Sequence, residues 1–242
     1  MTRQPTFQKF GDRGLLINWP TSIDPAVNVE VLQMNILISR EFHDEIIETV
    51  PAYHSLAVYL HEEIDVLTFI ERLKKIASTQ VRRASRVKTV ITIPVCYKIN
   101  LAPDLNEVSD LHGVSTSEVI RLHTERLYKV YFLGFLPGFP YLGGLNKELY
   151  TPRKSNPRKL VEKGSVGIGG AQTGIYTSDS PGGWNIIGRC PLDFFSTKKS
   201  PCCLLKPGDY VRFTAISRKK FYKIEQEVAD GNYQIRKEAW HD

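Results

Sequence analysis

Twelve of the seventeen glycines in this 242-residue chain fall between Gly134 and Gly188. Ordinary strands and helices do not tolerate that density, because each glycine removes a packing side chain and adds backbone freedom that folding must freeze. The stretch is therefore special backbone, and it holds two segments. GFLPGFPYLGG, Gly134 to Gly144, has too many turn formers for long regular structure. Its Phe135, Leu136, Phe139, Tyr141 and Leu142 are nevertheless too apolar for a solvated loop. It is either a core-packing loop or a binding floor, with Phe135, Pro137, Phe139 and Tyr141 as candidates for a partner or pocket surface. The second segment, GSVGIGGAQTGIYTSDSPGGWNIIGRCP, runs from Gly164 to Pro191. Gly169 and Gly174 have phosphate-loop spacing, but Ile175 stands where that loop needs Lys, and no G-x-G-x-x-G completes. No nucleotide cradle is expected in this chain alone, whereas backbone N–H groups beside glycine can hold a carboxylate or an oxyanion.

Between the two segments lies TPRKSNPRKLVEK, in which Arg153, Lys154, Arg158, Lys159 and Lys163 outweigh Glu162. Such a run is either a solvated face or, beside a glycine-rich loop, a source of one cation for an anionic ligand, with Arg153 the candidate. Gly170, Gln172 and Tyr176 could read an amide or carboxylate, or pair within the loop. Trp184 closes a pocket or fills a core. Arg189 positions an anion or pairs with Asp193. His123 is either a structural histidine or a proton-transfer group. His54 and Tyr53 read as structural.

Elsewhere the hydrophobic period sets the organisation. Gly14 to Trp19 reads as a strand; Asp24 and Pro25 then have N-cap and first-turn chemistry, and Val27, Val31, Met34 and Ile38 form one buried stripe. Ile46 to Val50 and Leu56 to Leu60 read as strands, Asp65 opens a second helix, and Lys88 to Val95 is a final β-rich run. The order predicts a ferredoxin-like βαββαβ domain over 1–90. Over 91–242 a short helix from Thr116, announced by the Ser115/Glu118 capping box, precedes many short strands, so a β-barrel or curled sheet is expected there. The class is α+β.

Residues 1–90 carry 11 basic and 11 acidic side chains, so the whole excess of six positive charges, 32 against 26, sits in the second part. The basic residues form only short clusters without a nucleic-acid motif, and nucleic acid is not an expected partner. No apolar run is long enough to span a membrane, and the first thirty residues lack a hydrophobic signal core, so a cytoplasmic protein is expected. The four cysteines contain no C-x-x-C pair and no metal site is expected.

The two glycine segments, as GFLPGFPYLGGL, TPR, GSVGIGGAQTGIY and SPGGWNIIGRCP, resemble signature blocks of the KipI/PxpB family, also called allophanate hydrolase subunit 1. GDRGLLI, ETVPAYHSLAVYL, IPVCY and RLHTERLYKVYFLGF resemble its remaining blocks, in the same order. Cys190, Lys98 and Glu162-Lys163 depart from the family's usual residues. The resemblance implies an N-terminal α/β domain followed by a cyclophilin-like β-barrel. It also implies the B subunit of an ATP-dependent 5-oxoprolinase that opens 5-oxo-L-proline to L-glutamate. Its partners would be a KipA/PxpC-type subunit and a LamB/YcsF-type (PxpA) subunit, with ATP used by the complex and not bound by this chain alone. His123 matches the family's His in its L-H-T block. The alternatives within the family are a KipI-type inhibitor of a sporulation histidine kinase and an accessory module of a biotin-dependent, urea-type carboxylase.

Overall fold

The computed structural model of the chain describes residues 4–20, 23–80 and 88–240, and the chain divides into two compact units, 1–86 and 87–242. The first unit contains β1 (Thr6–Phe10), β2 (Gly14–Asn18), α1 (Pro25–Glu41), β3 (Ile46–Pro51), β4 (Ser55–Leu60) and α2 (Val66–Gln80). Its sheet has the order β1-β2-β4-β3 and is antiparallel throughout. The Asp24 carboxylate accepts the Ala26 N–H at 2.8 Å, which satisfies one of the orphan donors at the start of α1. The stripe Val27, Val31, Met34 and Ile38 is buried, against Leu15, Ile17, Leu56 and Val58 from the sheet and Phe69 and Leu73 from α2.

The α+β class stands, but the strand order differs from βαββαβ. The first unit reads ββαββα, because Thr6–Phe10 forms a hairpin with β2 around Gly11, whose φ is 66°. The run Lys88–Val95, expected to close this sheet, is β5 of the second unit. It pairs parallel with a strand at 210–215 and antiparallel with one at 237–240.

The second unit continues with α3 (Leu105–His112), α4 (Thr116–Thr124), β6 (Leu127–Leu133), β7 (Pro140–Gly143), β8 (Arg158–Val161), β9 (Ser165–Gly169) and β10 (Gln172–Ile175). It ends with β11 (Ser180–Gly182), β12 (Asn185–Arg189), β13 (Tyr210–Ala215), α5 (Arg218–Ala229) and β14 (Lys237–Trp240). Eight strands form one sheet in the order β12-β9-β10-β7-β6-β13-β5-β14, while β8 and β11 make a separate ribbon. The sheet curls: Cys96, directly after β5, exchanges two hydrogen bonds with Arg189 of β12, at 2.8 and 3.0 Å. Inward residues such as Ile93, Val130, Ile168, Ile175, Val211 and Phe213 fill the interior. The Ser115 hydroxyl caps α4 through the Glu118 N–H, as its sequence spacing predicts. Among the described residues no helix is long and apolar enough to cross a membrane.

Candidate functional site

The glycine-rich stretch is mostly strand, and its glycines make room for one indole. Trp184 precedes β12 and is 5% exposed. A Cβ on Gly169 would lie 2.6 Å from its ring, and one on Gly174 would lie 3.0 Å from the ring and 3.1 Å from Phe139. Side chains there would push the ring off the sheet, so β9 and β10 present bare backbone to it. Phe139 meets Trp184, Tyr176 and Tyr141 edge-on, at centroid distances of 5.7, 5.5 and 5.2 Å. Tyr141 stacks on Phe132 at 4.3 Å. Val161 and Ile186 complete this cluster.

Arg153 lies over that cluster. Its guanidinium carbon is 5.8 Å from the Trp184 ring centroid, a cation–π arrangement. The side chain is exposed, and among the described residues no carboxylate pairs with it. Burial raises the Tyr141 and Tyr176 hydroxyls above the usual phenol range, while the Arg153 charge pulls both back down. Both phenols therefore stay protonated at neutral pH and lie within the field of the Arg153 cation. At the surface the arrangement offers a planar cation with the half-buried Tyr141 phenol beside it, above rings of Trp184, Tyr176 and Phe139 that are themselves buried. That set suits a small, flat anion whose carboxylate takes the guanidinium fork.

Of the other cations in the basic run, Lys154, Arg158 and Lys163 have carboxylate partners, whereas Lys159 is exposed and, among the described residues, pairs with no carboxylate. Lys154 and Arg158 both reach Asp104, at 3.2 and 2.5 Å, and Lys154 also pairs with Glu107. Lys163 pairs with Asp193, and Arg189 pairs with Glu162, not with Asp193. Lys163, Asp193 and Arg189 line an open depression of about 310 Å³, and so does Cys190. Burial pushes that thiol up to about 12, so it is no nucleophile at neutral pH.

His123 lies elsewhere, in the main core, and is fully buried. The Thr173 hydroxyl donates to the Gly167 carbonyl at 3.0 Å, so it accepts from His123 Nε2–H, also at 3.0 Å. This tautomer leaves Nδ1 to accept from the Tyr97 hydroxyl at 2.8 Å. The ring stacks on Phe213 at 4.5 Å, and burial holds its pKa down to about 3. The imidazole is thus sealed from solvent with both ring nitrogens engaged within the core.

The other sequence-predicted residues divide similarly. Arg153, Tyr141, Tyr176, Trp184 and Phe139 come together, but Phe139 is buried at the centre of the cluster and not on its surface. Phe135 is 62% exposed, yet its ring meets Phe139 and Tyr176 edge-on at 5.5 and 6.4 Å, and its left-handed backbone (φ 66°) is unusual for a bulky residue. Pro137 is exposed beside it, and its carbonyl accepts from Thr177 at 2.8 Å. Gly170, with φ 63°, turns the chain from β9 to β10. Its N–H is already given to the Thr151 carbonyl at 2.7 Å, so this turn does not fit a phosphate cradle. Gln172 is half-buried at the start of β10. Among the described residues no group of three His, Cys, Asp or Glu side chains could hold a metal ion. Sequence reasoning missed Asp104, whose partners Arg158 and Ile186 lie 54 and 82 residues away, beyond any local pattern.

Comparison with known proteins places this architecture. Residues 5–205 match the family model "Carboxyltransferase domain, subdomain C and D". The chain is 37% identical over 238 residues to the 5-oxoprolinase B subunit of Bacillus subtilis (strain 168), covering 94% of this chain and 99% of that protein. It is 44% identical over 171 residues to the 5-oxoprolinase B subunit of Escherichia coli O157:H7, covering 69% of this chain and 77% of that one. The crystal structure of TTHA0988 superposes with a TM-score of 0.75 at 33% identity over 85% of this chain, which spans 40% of that longer protein. With the Bacillus subtilis relative matched over nearly its whole length, the Escherichia coli one over about three quarters, and the family model over most of the sequence, the chain belongs to the KipI/PxpB family, the family of the 5-oxoprolinase B subunits.

Proposed function

We propose that this chain is the B subunit of a cytoplasmic, ATP-dependent 5-oxoprolinase. It would act with KipA/PxpC-type and LamB/YcsF-type (PxpA) subunits to hydrolyse 5-oxo-L-proline to L-glutamate. The observation that carries the reading is Arg153, an exposed guanidinium without a carboxylate partner among the described residues, seated over Trp184 beside two phenols. At neutral pH 5-oxoproline is a flat lactam bearing one carboxylate. The Arg153 fork matches the carboxylate, and the half-buried, protonated Tyr141 beside it matches a polar oxygen of the lactam. The relatives that bear the name of the 5-oxoprolinase B subunit, one of them matched over nearly its whole length, support the same substrate.

This chain would bind and orient the lactam as a non-autonomous component. The glycine run offers no phosphate cradle, so the ATP-linked chemistry is assigned to the partner subunits. Phe135 and Pro137 would face a partner. A bulky residue in the left-handed region costs about 1–2 kcal/mol, and such strain concentrates where a protruding side chain has a use.

The test is Arg153→Lys in the reconstituted three-subunit complex. Lysine keeps the charge and loses the two parallel hydrogen bonds, so the apparent KM for 5-oxoproline should rise about tenfold or more with kcat little changed. An unchanged KM overturns the carboxylate assignment.

A further inference from the structure

The segment carrying Arg153 is fastened on every side. Just before Arg153, the Pro152 carbonyl accepts the Asn185 side-chain N–H at 2.8 Å. Just after it, the Lys154 backbone N–H donates to the Gly183 carbonyl at 2.7 Å. Both partners flank Trp184, the residue on which the guanidinium rests. The side chains of Lys154 and Arg158 then converge on Asp104 Oδ1, at 3.2 and 2.5 Å. Asp104 is 2% exposed, and its Oδ2 accepts the Ile186 N–H of β12 at 2.6 Å. One buried carboxylate thus joins the start of α3, the strand after Trp184 and both ends of the segment 154–158.

We propose that Asp104 is a positioning residue for Arg153: by anchoring Lys154 and Arg158 to β12, it fixes the backbone from which Arg153 reaches over Trp184. The inference rests on the reading of Arg153 as the carboxylate clamp. Two cations satisfy the buried charge, and that same pairing prevents Lys154 and Arg158 from competing with Arg153 for an incoming anion. A clamp held this way is organised before the ligand arrives, so little ordering remains to be done on binding.

The experiment uses the reconstituted complex and two variants, Asp104→Asn and Arg158→Gln, each read by steady-state kinetics and by amide exchange of residues 151–160. Asp104→Asn should raise the apparent KM about tenfold with kcat within about twofold, and exchange in that segment should accelerate. Combined with Arg153→Lys it should add little further KM loss, since both act through one contact. Arg158→Gln should show the same direction, and it decides the matter should Asp104→Asn fail to fold. If Arg153→Lys raises KM while both Asp104→Asn and Arg158→Gln leave KM and exchange as in the wild type, positioning by Asp104 is overturned and the clamp reading survives. If Arg153→Lys itself leaves KM unchanged, the clamp reading falls. Exchange then decides alone: faster exchange in the variants supports the anchoring, and unchanged exchange refutes it.

Discussion

Replacing His123 by alanine separates a structural histidine from a proton-transfer group. In the wild type the ring accepts from Tyr97 and donates to Thr173 while stacking on Phe213. His123→Ala strands the buried Tyr97 hydroxyl, at about 1–2 kcal/mol, and opens a ring-sized void beside Phe213, at roughly 2–3 kcal/mol. The sum, roughly 3–5 kcal/mol, is readable by urea unfolding of the isolated chain and is smaller than or comparable to the stability of an ordinary domain. The pH dependence has a fixed sign. The ring's pKa is about 6.5 when exposed and about 3 when buried, so between those values the unfolded chain binds the extra proton. Its contribution is present above pH 6.5 and is lost as pH falls towards 3, about 2 kcal/mol of it between pH 7 and pH 5. The alanine variant lacks this part of the acid sensitivity. In the reconstituted complex, turnover per folded variant should stay near wild type. Unchanged unfolding free energy combined with a kcat loss of about 10²- to 10⁴-fold, the usual range for a general acid or base, would refute the structural assignment.

Three further outcomes follow from the aromatic cluster. Gly169→Ala puts a Cβ 2.6 Å from the Trp184 ring and should destabilise by about 1–3 kcal/mol, seen as a lower Tm with altered tryptophan emission. Phe139→Ala removes the buried centre of the cluster and should cost about 3–5 kcal/mol in chemical unfolding, so lost assembly in that variant reports the fold and not a contact. Phe135→Gly removes an exposed ring and its left-handed strain together. Stability should stay within about 1 kcal/mol of wild type while association with the KipA/PxpC-type subunit, followed by sedimentation velocity, weakens; unchanged association refutes Phe135 as a partner contact.

Local signals in the sequence were reliable wherever the physics is local. Asp24 and Ser115 are N-caps because a short polar side chain can reach the next backbone N–H groups, and the α1 stripe is buried because its spacing puts it on one face. Period alone says that Lys88–Val95 is a strand but not which sheet receives it. The partner strand, β13, lies more than a hundred residues later, and the edge strand Thr6–Phe10 is too exposed to carry a hydrophobic pattern. The same distinction runs through the site. The glycine density pointed to special backbone, and the structure gives the reason, a tryptophan lying against bare strands. Arg153 is distinguished from Lys154 and Arg158 by their pairing with Asp104, and from Lys159 by its seat over Trp184, and neither relation is local in sequence. His123 reads the same in sequence as a catalytic histidine, because its burial depends on Tyr97, Thr173 and Phe213, each more than twenty residues away.

The most direct test of the proposed 5-oxoprolinase role is glutamate release from 5-oxoproline by the purified KipA/PxpC-type, LamB/YcsF-type and present chains, with ATP, omitting each protein in turn. Turnover should require all three, with this chain inactive alone and its omission abolishing glutamate formation. Full ATP-dependent turnover by the other two proteins without this chain would contradict the assignment.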